Sequence, residues 1–509
     1  MLKNLQYFFY SRLILIYVFL FFSANNLFAQ SHVSIDTDSL HQIIRGFGAA
    51  NIVGWRPDMT EPEIEKAFGT GENQIGFSLL RVRVPYDENQ FNVNLTTTKL
   101  AYSMGVSIIG SPWSPPPSLK TNNNIVKGRL SESSYAEYAA HLKSYVDYMA
   151  ENDAPLYAIS VQNEPDVDVT YESCDWTASE LTKFIGENGA DVGARLIAPE
   201  SYHFDKTISD TILTDSAAAA NVSIVGGHLY GGGLERYRLA EEKGKEIWMT
   251  EYLTTDTNWA STLSVCEQIN TCLRYNMSAY LWWYIVRFYG PIDENSNITK
   301  RGYAMSQFAR FIRPGYVRIQ ATQESEMPAW GSVSAFKSDS SLVVVMINNR
   351  SESKEVEFAI DDEDFTSFTP YVTSKVKDCE RGADGEITGN VFSYTLEDSS
   401  ITTFVLGSKP TDVEENLTEV EKTFSLSQNY PNPFNPTTTI EFSLSALSNI
   451  SLVVYDNLGQ EVNRIINKKD YAAGIHQVYF DAGGLPSGIY FYQLKAGSSV
   501  ITKKFVLLK

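Results

Sequence analysis

Between about Gln42 and Arg313 the chain repeats one pattern eight times: a short run rich in apolar and β-branched residues, then a longer segment able to form a helix. The runs are Ile43–Gly48, Ser78–Pro85, Val106–Trp113, Tyr157–Glu164, Arg195–Glu200, Ser223–Tyr230, Glu246–Glu251 and Ala279–Tyr284. Strands that alternate with helices pair in parallel, and eight such units predict an α/β fold, a closed (β/α)8 barrel over 42–313. Ser134 to Met149 spaces apolar and aromatic residues at helical intervals without Gly or Pro. Its aromatic stripe is expected to pack on the barrel rather than to meet a ligand.

The flanks read differently. Residues 1–30 have a basic start, an apolar centre from Leu13 to Phe22 and Ala29 near the end, the pattern of a secretory signal peptide; an uncleaved anchor is disfavoured because Asn25 and Asn26 close the apolar stretch early. Short alternating runs with turn signals over 314–408 predict an attached all-β structure, to which an N-terminal strand within 31–41 is expected to add. Residues 409–422 are polar and acidic, as a linker is, and 423–509 again reads as compact β. A net charge of −20 argues against a nucleic-acid partner. The four cysteines have neither metal-ligand spacing nor a disulfide framework, so at most one bridge is expected.

Three of the eight runs end in a glutamate, and in two of them it is flanked by polar or aromatic residues: Val161-Gln-Asn163-Glu164-Pro165 and Trp248-Met-Thr-Glu251-Tyr252. Barrel strands deliver their last residues to one common mouth, so these carboxylates can converge although 87 positions separate them (251 − 164). Two converging carboxylates are the minimum for cleaving a glycosidic bond: one protonates the leaving oxygen while the other meets the anomeric carbon. A separation near 5 Å implies retention, with Glu251 as nucleophile and Glu164 as acid/base. A single strand-ending glutamate could equally cap a helix or pair with an arginine, and Glu200, which lacks flanking Asn and aromatic residues, is assigned that structural role.

Further residues fit a carbohydrate site. Trp55, and Trp113 in the stiff Ser111–Pro117 segment, offer indole faces for sugar rings, whereas Trp282 and Trp283 are assigned to the core. Arg83 is placed to keep the nucleophile ionised, or else forms an ordinary barrel salt bridge. Tyr230 is expected to donate to Glu251, and Asn163 to bind the hydroxyl next to the reacting carbon. Nothing calls for a cofactor or a metal.

Across about Ser31 to Gly407 the chain resembles glycoside hydrolase family 30, particularly its bacterial glucuronoxylanase branch. The matching residues include Gly46-Phe-Gly48, Trp55, Ser111–Pro116, Val161–Pro165, Trp248–Glu251, Trp282-Trp-Tyr-Ile-Val-Arg287-Phe-Tyr289-Gly-Pro291 and Ile298–Tyr303. The resemblance implies a TIM barrel with a side β-structure, retaining chemistry, and Arg287 and Tyr289 gripping the glucuronic acid branch of xylan. Some members complete that grip with a tyrosine and a serine after the nucleophile, where this chain has Leu253-Thr254-Thr255-Asp256. Asp256 is expected to repel a uronate there, and Thr254 or Thr255 to supply a substitute hydroxyl.

The tail, through Asn429–Pro436, Val454–Val462 and Leu485–Tyr490, resembles the sorting domain of the type IX secretion system rather than a carbohydrate-binding module. Together these readings predict a secreted or surface-held, monomeric endo-β-1,4-xylanase, exported through the periplasm, that cuts glucuronoxylan. The alternatives are a relative acting on unbranched xylan or another β-glycan (xylobiohydrolase, β-glucanase or glucosylceramidase-like) and a noncatalytic glycan-binding protein.

Overall fold

The computed structural model describes residues 31–324, 331–338, 341–362, 365–408 and 424–507, with 428, 430–433, 435, 445, 457–458, 472–473 and 498 excepted. The expected signal peptide and linker lie outside the described residues. β1 (Ser31–Ile43) leads into the strands of the barrel: β2 (Gly46–Asn51), β3 (Leu79–Val84), β4 (Ser107–Pro112), β5 (Leu156–Ser160), β6 (Arg195–Ser201), β7 (Val222–His228), β8 (Glu246–Glu251) and β9 (Met277–Tyr284). Strands β2 to β9 pair in parallel, and β9 closes on β2 with Gly48 opposite Leu281. A Cβ on Gly48 would sit 2.0 Å from the Leu79 carbonyl oxygen, so only glycine permits this strand spacing.

The barrel is filled rather than hollow. Leu79, Ile109, Ala158, Ile197, Ile224, Trp248 and Leu281, one from each of seven strands, form a fully buried apolar layer across its interior. Side chains alternate along a strand, so the next inward positions lie two residues on. There β3, β4, β5 and β8 carry Arg81, Ser111, Ser160 and Thr250, all fully buried. A polar floor therefore rests on an apolar plug.

Helix Tyr135–Glu151 packs its aromatic stripe inward: Tyr138 and Tyr145 are fully buried, and the Tyr138 hydroxyl donates to the Val161 carbonyl at 2.8 Å, just below Glu164. β1 belongs to a ten-stranded side sheet, antiparallel to Val317–Glu324 and parallel to Lys354–Ile360. The tail forms two small sheets around a core that includes Phe434, Ile440, Leu452, Tyr492 and Phe505. Cys174, Cys266, Cys272 and Cys379 are all buried free thiols.

Candidate active site

Glu164 follows β5 in the left-handed region, at φ 47°. That geometry is unfavourable for a residue with a Cβ and persists because the backbone is pinned on both sides. The Asn163 amide donates to the Pro112 carbonyl at 2.8 Å, and the Glu164 amide to the Glu200 carbonyl at 3.0 Å. Glu251 ends β8, and one oxygen of each glutamate lies with a His228 nitrogen in a set mutually within 4.8 Å. This spacing leaves no room for the water that an inverting pair, about 6.5–9.5 Å apart, must hold between its carboxyls.

Arg81 organises the floor. Its Nη1 donates to Glu251 Oε2 at 2.6 Å, its Nη2 to Asn163 Oδ1 at 2.6 Å and its Nε to Ser111 Oγ at 3.0 Å, while Nε stands 3.3 Å from Glu200 Oε1. Burial opposes the Arg81 cation, but Glu200 and Glu251 outweigh it and hold its proton more tightly than usual. Burial likewise works to raise the Glu200 carboxyl, yet Arg81 and His228 keep it well below the ordinary carboxylate range. Glu200 thus acts as the anchor of Arg81.

His228, at the end of β7, places Nδ1 2.9 Å from Glu164 Oε1 and Nε2 3.8 and 3.9 Å from Glu200 and Glu251. Despite complete burial its imidazole is pushed up to about 10, by the Glu251 charge, the hydrogen bond to Glu164 and the nearby Glu200 carboxylate. Tyr230 donates to Glu251 Oε1 at 2.9 Å and Tyr171 to Glu164 Oε2 at 3.1 Å. Two cations, Arg81 and His228, therefore face three carboxylates, which leaves one surplus negative charge. Burial, with the Glu164 charge adding to it, pushes the Glu251 carboxyl above its ordinary value against the pull of His228 and Arg81. One exchangeable proton is the natural content of such a cavity.

Two expectations need correction. Arg83 does not hold the nucleophile: both arginines of β3 face inward, but Arg83 lies two residues higher and pairs with Glu172 on the loop after β5. The salt-bridge alternative describes it. Trp113 is only 2% exposed, with the Arg81 guanidinium 4.9 Å from its ring centroid and Trp55 edge-on at 5.3 Å. It braces the cleft instead of offering a face to sugar, whereas Trp55, 41% exposed, is the open ring. Trp282 is fully buried under Arg301, and Trp283 packs between Trp113 and Tyr284 at the cleft floor.

Arg287 and Tyr289 stand on the loop after β9, on the far side of the barrel from β5. Tyr289 is buried beside the Arg287 guanidinium, within reach of the Glu251 charge. Arg301 ties this loop to the one after β8, donating to the carbonyls of Tyr289 at 2.9 Å, Thr254 at 3.0 Å and Asp256 at 2.5 Å. The Asp256 carboxylate accepts from the amide and side chain of Asn258 at 3.1 and 3.0 Å, so its charge serves its own turn. Arg81, His228 and Tyr171 escaped the sequence reading. The first two carried a signal, since a cation or an imidazole in an apolar barrel strand demands a buried partner. Glu164, His228 and Glu251 are also the one group among the described residues able to chelate a metal ion, at the expense of the bonds that orient them.

Residues 65–249 match the glycosyl hydrolase family 30 TIM-barrel domain, and residues 428–508 the secretion system C-terminal sorting domain, which marks the chain for secretion or the cell surface. Glucuronoxylanase XynC of Bacillus subtilis (strain 168) is 39% identical over 398 residues, 75% of this chain and 93% of that protein. The family 30 subfamily 8 xylanase Xyn30A from Clostridium acetobutylicum superposes with a TM-score of 0.69 at 33% identity, covering 74% of this chain and all of that one. A family 30 endoxylanase from Clostridium papyrosolvens C71 gives 0.68 at 33% identity, with the same coverage of this chain. A strand-end glutamate pair on an eight-stranded barrel, in a chain this similar to such relatives over three quarters of its length, leads to one assignment: the protein is a glycoside hydrolase of family 30.

Proposed function

We propose that the protein is an endo-β-1,4-xylanase that cuts glucuronoxylan by double displacement and reads the glucuronic acid branch with Arg287 and Tyr289. The reaction class rests on the close approach of Glu164 and Glu251, and the substrate on the likeness to a glucuronoxylanase.

The partners of the two glutamates support different roles for them. Arg81 can only donate, so Glu251 keeps its best contact as an anion. Glu164 meets the His228 imidazolium, a donor to Oε1, and at Oε2 the Tyr171 phenol, which can donate or accept, so Oε2 can gain and lose a proton without stranding its partner. Glu251 accordingly attacks the anomeric carbon while Glu164 protonates the departing oxygen. Water, deprotonated by Glu164, then releases the covalent sugar from Glu251. Because Asn163 Oδ1 accepts from Arg81, its amide NH2 is the group left to donate to the neighbouring sugar hydroxyl.

The branch reader lies across the barrel from Glu164, so the uronate belongs to the sugars retained on Glu251 rather than to the leaving group. Arg287 supplies a charge-assisted contact that neutral xylose cannot match. The chain acts as a monomer, and its tail passes it from the periplasm to the type IX machinery. Mass analysis of products from glucuronoxylan and from debranched xylan tests the reading: each product should carry its branch at one fixed position from the cut. Cleavage of both polymers at equal rates, with scattered branch positions, would remove Arg287 from its role. The non-standard Thr254–Asp256 loop favours, as a second reading, activity on unbranched xylan as well.

A further inference from the structure

The branch pocket already contains a carboxylate. Glu294 Oε1 lies 3.4 Å from Arg56 Nη1 and 3.7 Å from Arg287 Nη1, so one oxygen faces two guanidinium groups. We propose that Glu294 is an internal stand-in for the uronate, displaced when a branched chain binds, and that Arg56 is the second cation of the pocket. This rests on the reading of Arg287 and Tyr289 as the branch-binding pair.

Three observations carry the inference. The contacts are loose: a committed N–H to carboxylate bond is about 2.7–2.9 Å, and both distances exceed it. The Arg287 Nε is buried without a hydrogen-bond partner among the described residues, so the guanidinium holds a donor in reserve. Movement is also confined to the right group. Asp293 accepts from the amides of Asn295 and Asn297 at 2.9 and 2.8 Å, which fixes the loop backbone, while the Glu294 side chain is 39% exposed and free to turn outward.

Arg56 is better held. Its side chain is 17% exposed, and it directly follows Trp55, whose ring packs on Trp113 and Trp283. Arg56 and Arg287 both act on Tyr284 and Tyr289, and so does Glu251. The two cations stand together at Glu294, beside Tyr289, so a uronate entering there meets the groups that Glu294 now engages. A neutral xylose leaves Glu294 in place. A branch carboxylate meets a like charge at the same pair of cations and expels it.

The test compares kcat/KM on glucuronoxylan with kcat/KM on linear xylo-oligosaccharides for wild type, Glu294→Gln, Arg56→Gln and Arg287→Ala. Removing the competitor should raise the branched-to-linear ratio about threefold, the scale of a half-exposed ion pair. Removing the second cation should lower it about tenfold, the scale of a charge-assisted contact. As a direct probe, methyl glucuronoside should inhibit linear-substrate hydrolysis more strongly in Glu294→Gln than in wild type. A ratio unmoved or lowered by Glu294→Gln, or unmoved by Arg56→Gln, overturns the inference. If wild type and Arg287→Ala share one ratio near unity, the underlying branch reading fails instead.

Discussion

Strand β8 carries a glutamate at each end, and the two meet opposite surroundings. At its start, Glu246 Oε1 accepts from Arg45 at 2.9 Å and from Arg195 at 2.7 Å, so one carboxylate has two guanidinium groups. At its end, Glu251 shares the single guanidinium of Arg81 with Glu200, beside Glu164 and His228. Below, Glu441 also stands 3.7 Å from Arg45, so two guanidinium groups meet two carboxylates and no charge is left over. Above, anions exceed cations, and the surplus keeps one proton mobile. On the proposed assignment, one strand supplies stability at the bottom of the barrel and reactivity at the mouth.

Exchanging each glutamate for its neutral isostere gives the largest contrast. Glu251→Gln should lower kcat/KM by about 10⁴-fold or more, with the thermal midpoint held or raised because a buried surplus charge is gone. Glu246→Gln should leave kcat/KM within about threefold but cost about 2 kcal/mol, between the about 1 of an exposed ion pair and the about 4 of a buried one. Kinetics and urea unfolding on both variants check this. Equal activity losses would mean that the two ends are not separate in function.

The arginines sharpen the same comparison at lower amplitude. Arg81→Gln strands Glu200 and Glu251 without their cation and should cost about 3–5 kcal/mol along with most activity. Arg45→Gln leaves Arg195 on Glu246 and should cost about 1 kcal/mol or less. A comparable shift of the urea midpoint in both variants would contradict the charge count.

The barrel and the two glutamates were legible in the sequence because each rests on a local pattern: a strand run ending in a carboxylate can be read without knowing its neighbours. Partners across the barrel could not be read so directly. Arg81 and Arg83 are two residues apart on one face, and only the heights of the opposing strands decide that the lower meets Glu251 while the higher meets Glu172. Trp113 misled for a related reason. A Trp in a proline-rich loop reads as exposed, yet the Arg81 cation beneath draws its ring inward. His228 lay inside the run Ser223–Tyr230 with no motif around it, and its importance lies wholly in contacts to Glu164, Glu200 and Glu251.

The smallest effects concern pH, where the start of β8 and the mouth of the barrel act in opposite directions. The Glu246 carboxyl is lowered from 4.5 to about 2, against its burial, by Arg195 and Arg45. A lowered carboxyl stabilises the fold above its unfolded value, so this contribution is complete above about pH 4.5 and disappears as pH falls towards 2. His228 is raised from 6.5 to about 10, so its contribution is complete below 6.5 and disappears as pH rises towards 10. Thermal midpoints measured across that range should therefore fall at both limits. Glu246→Gln should flatten part of the acid limb, with Glu200 sustaining the rest, and leave the alkaline limb intact. His228→Gln should flatten the alkaline limb alone. An alkaline limb that survives His228→Gln would show that the imidazole carries no extra proton, and the cavity at the mouth would then hold one cation against three carboxylates instead of two.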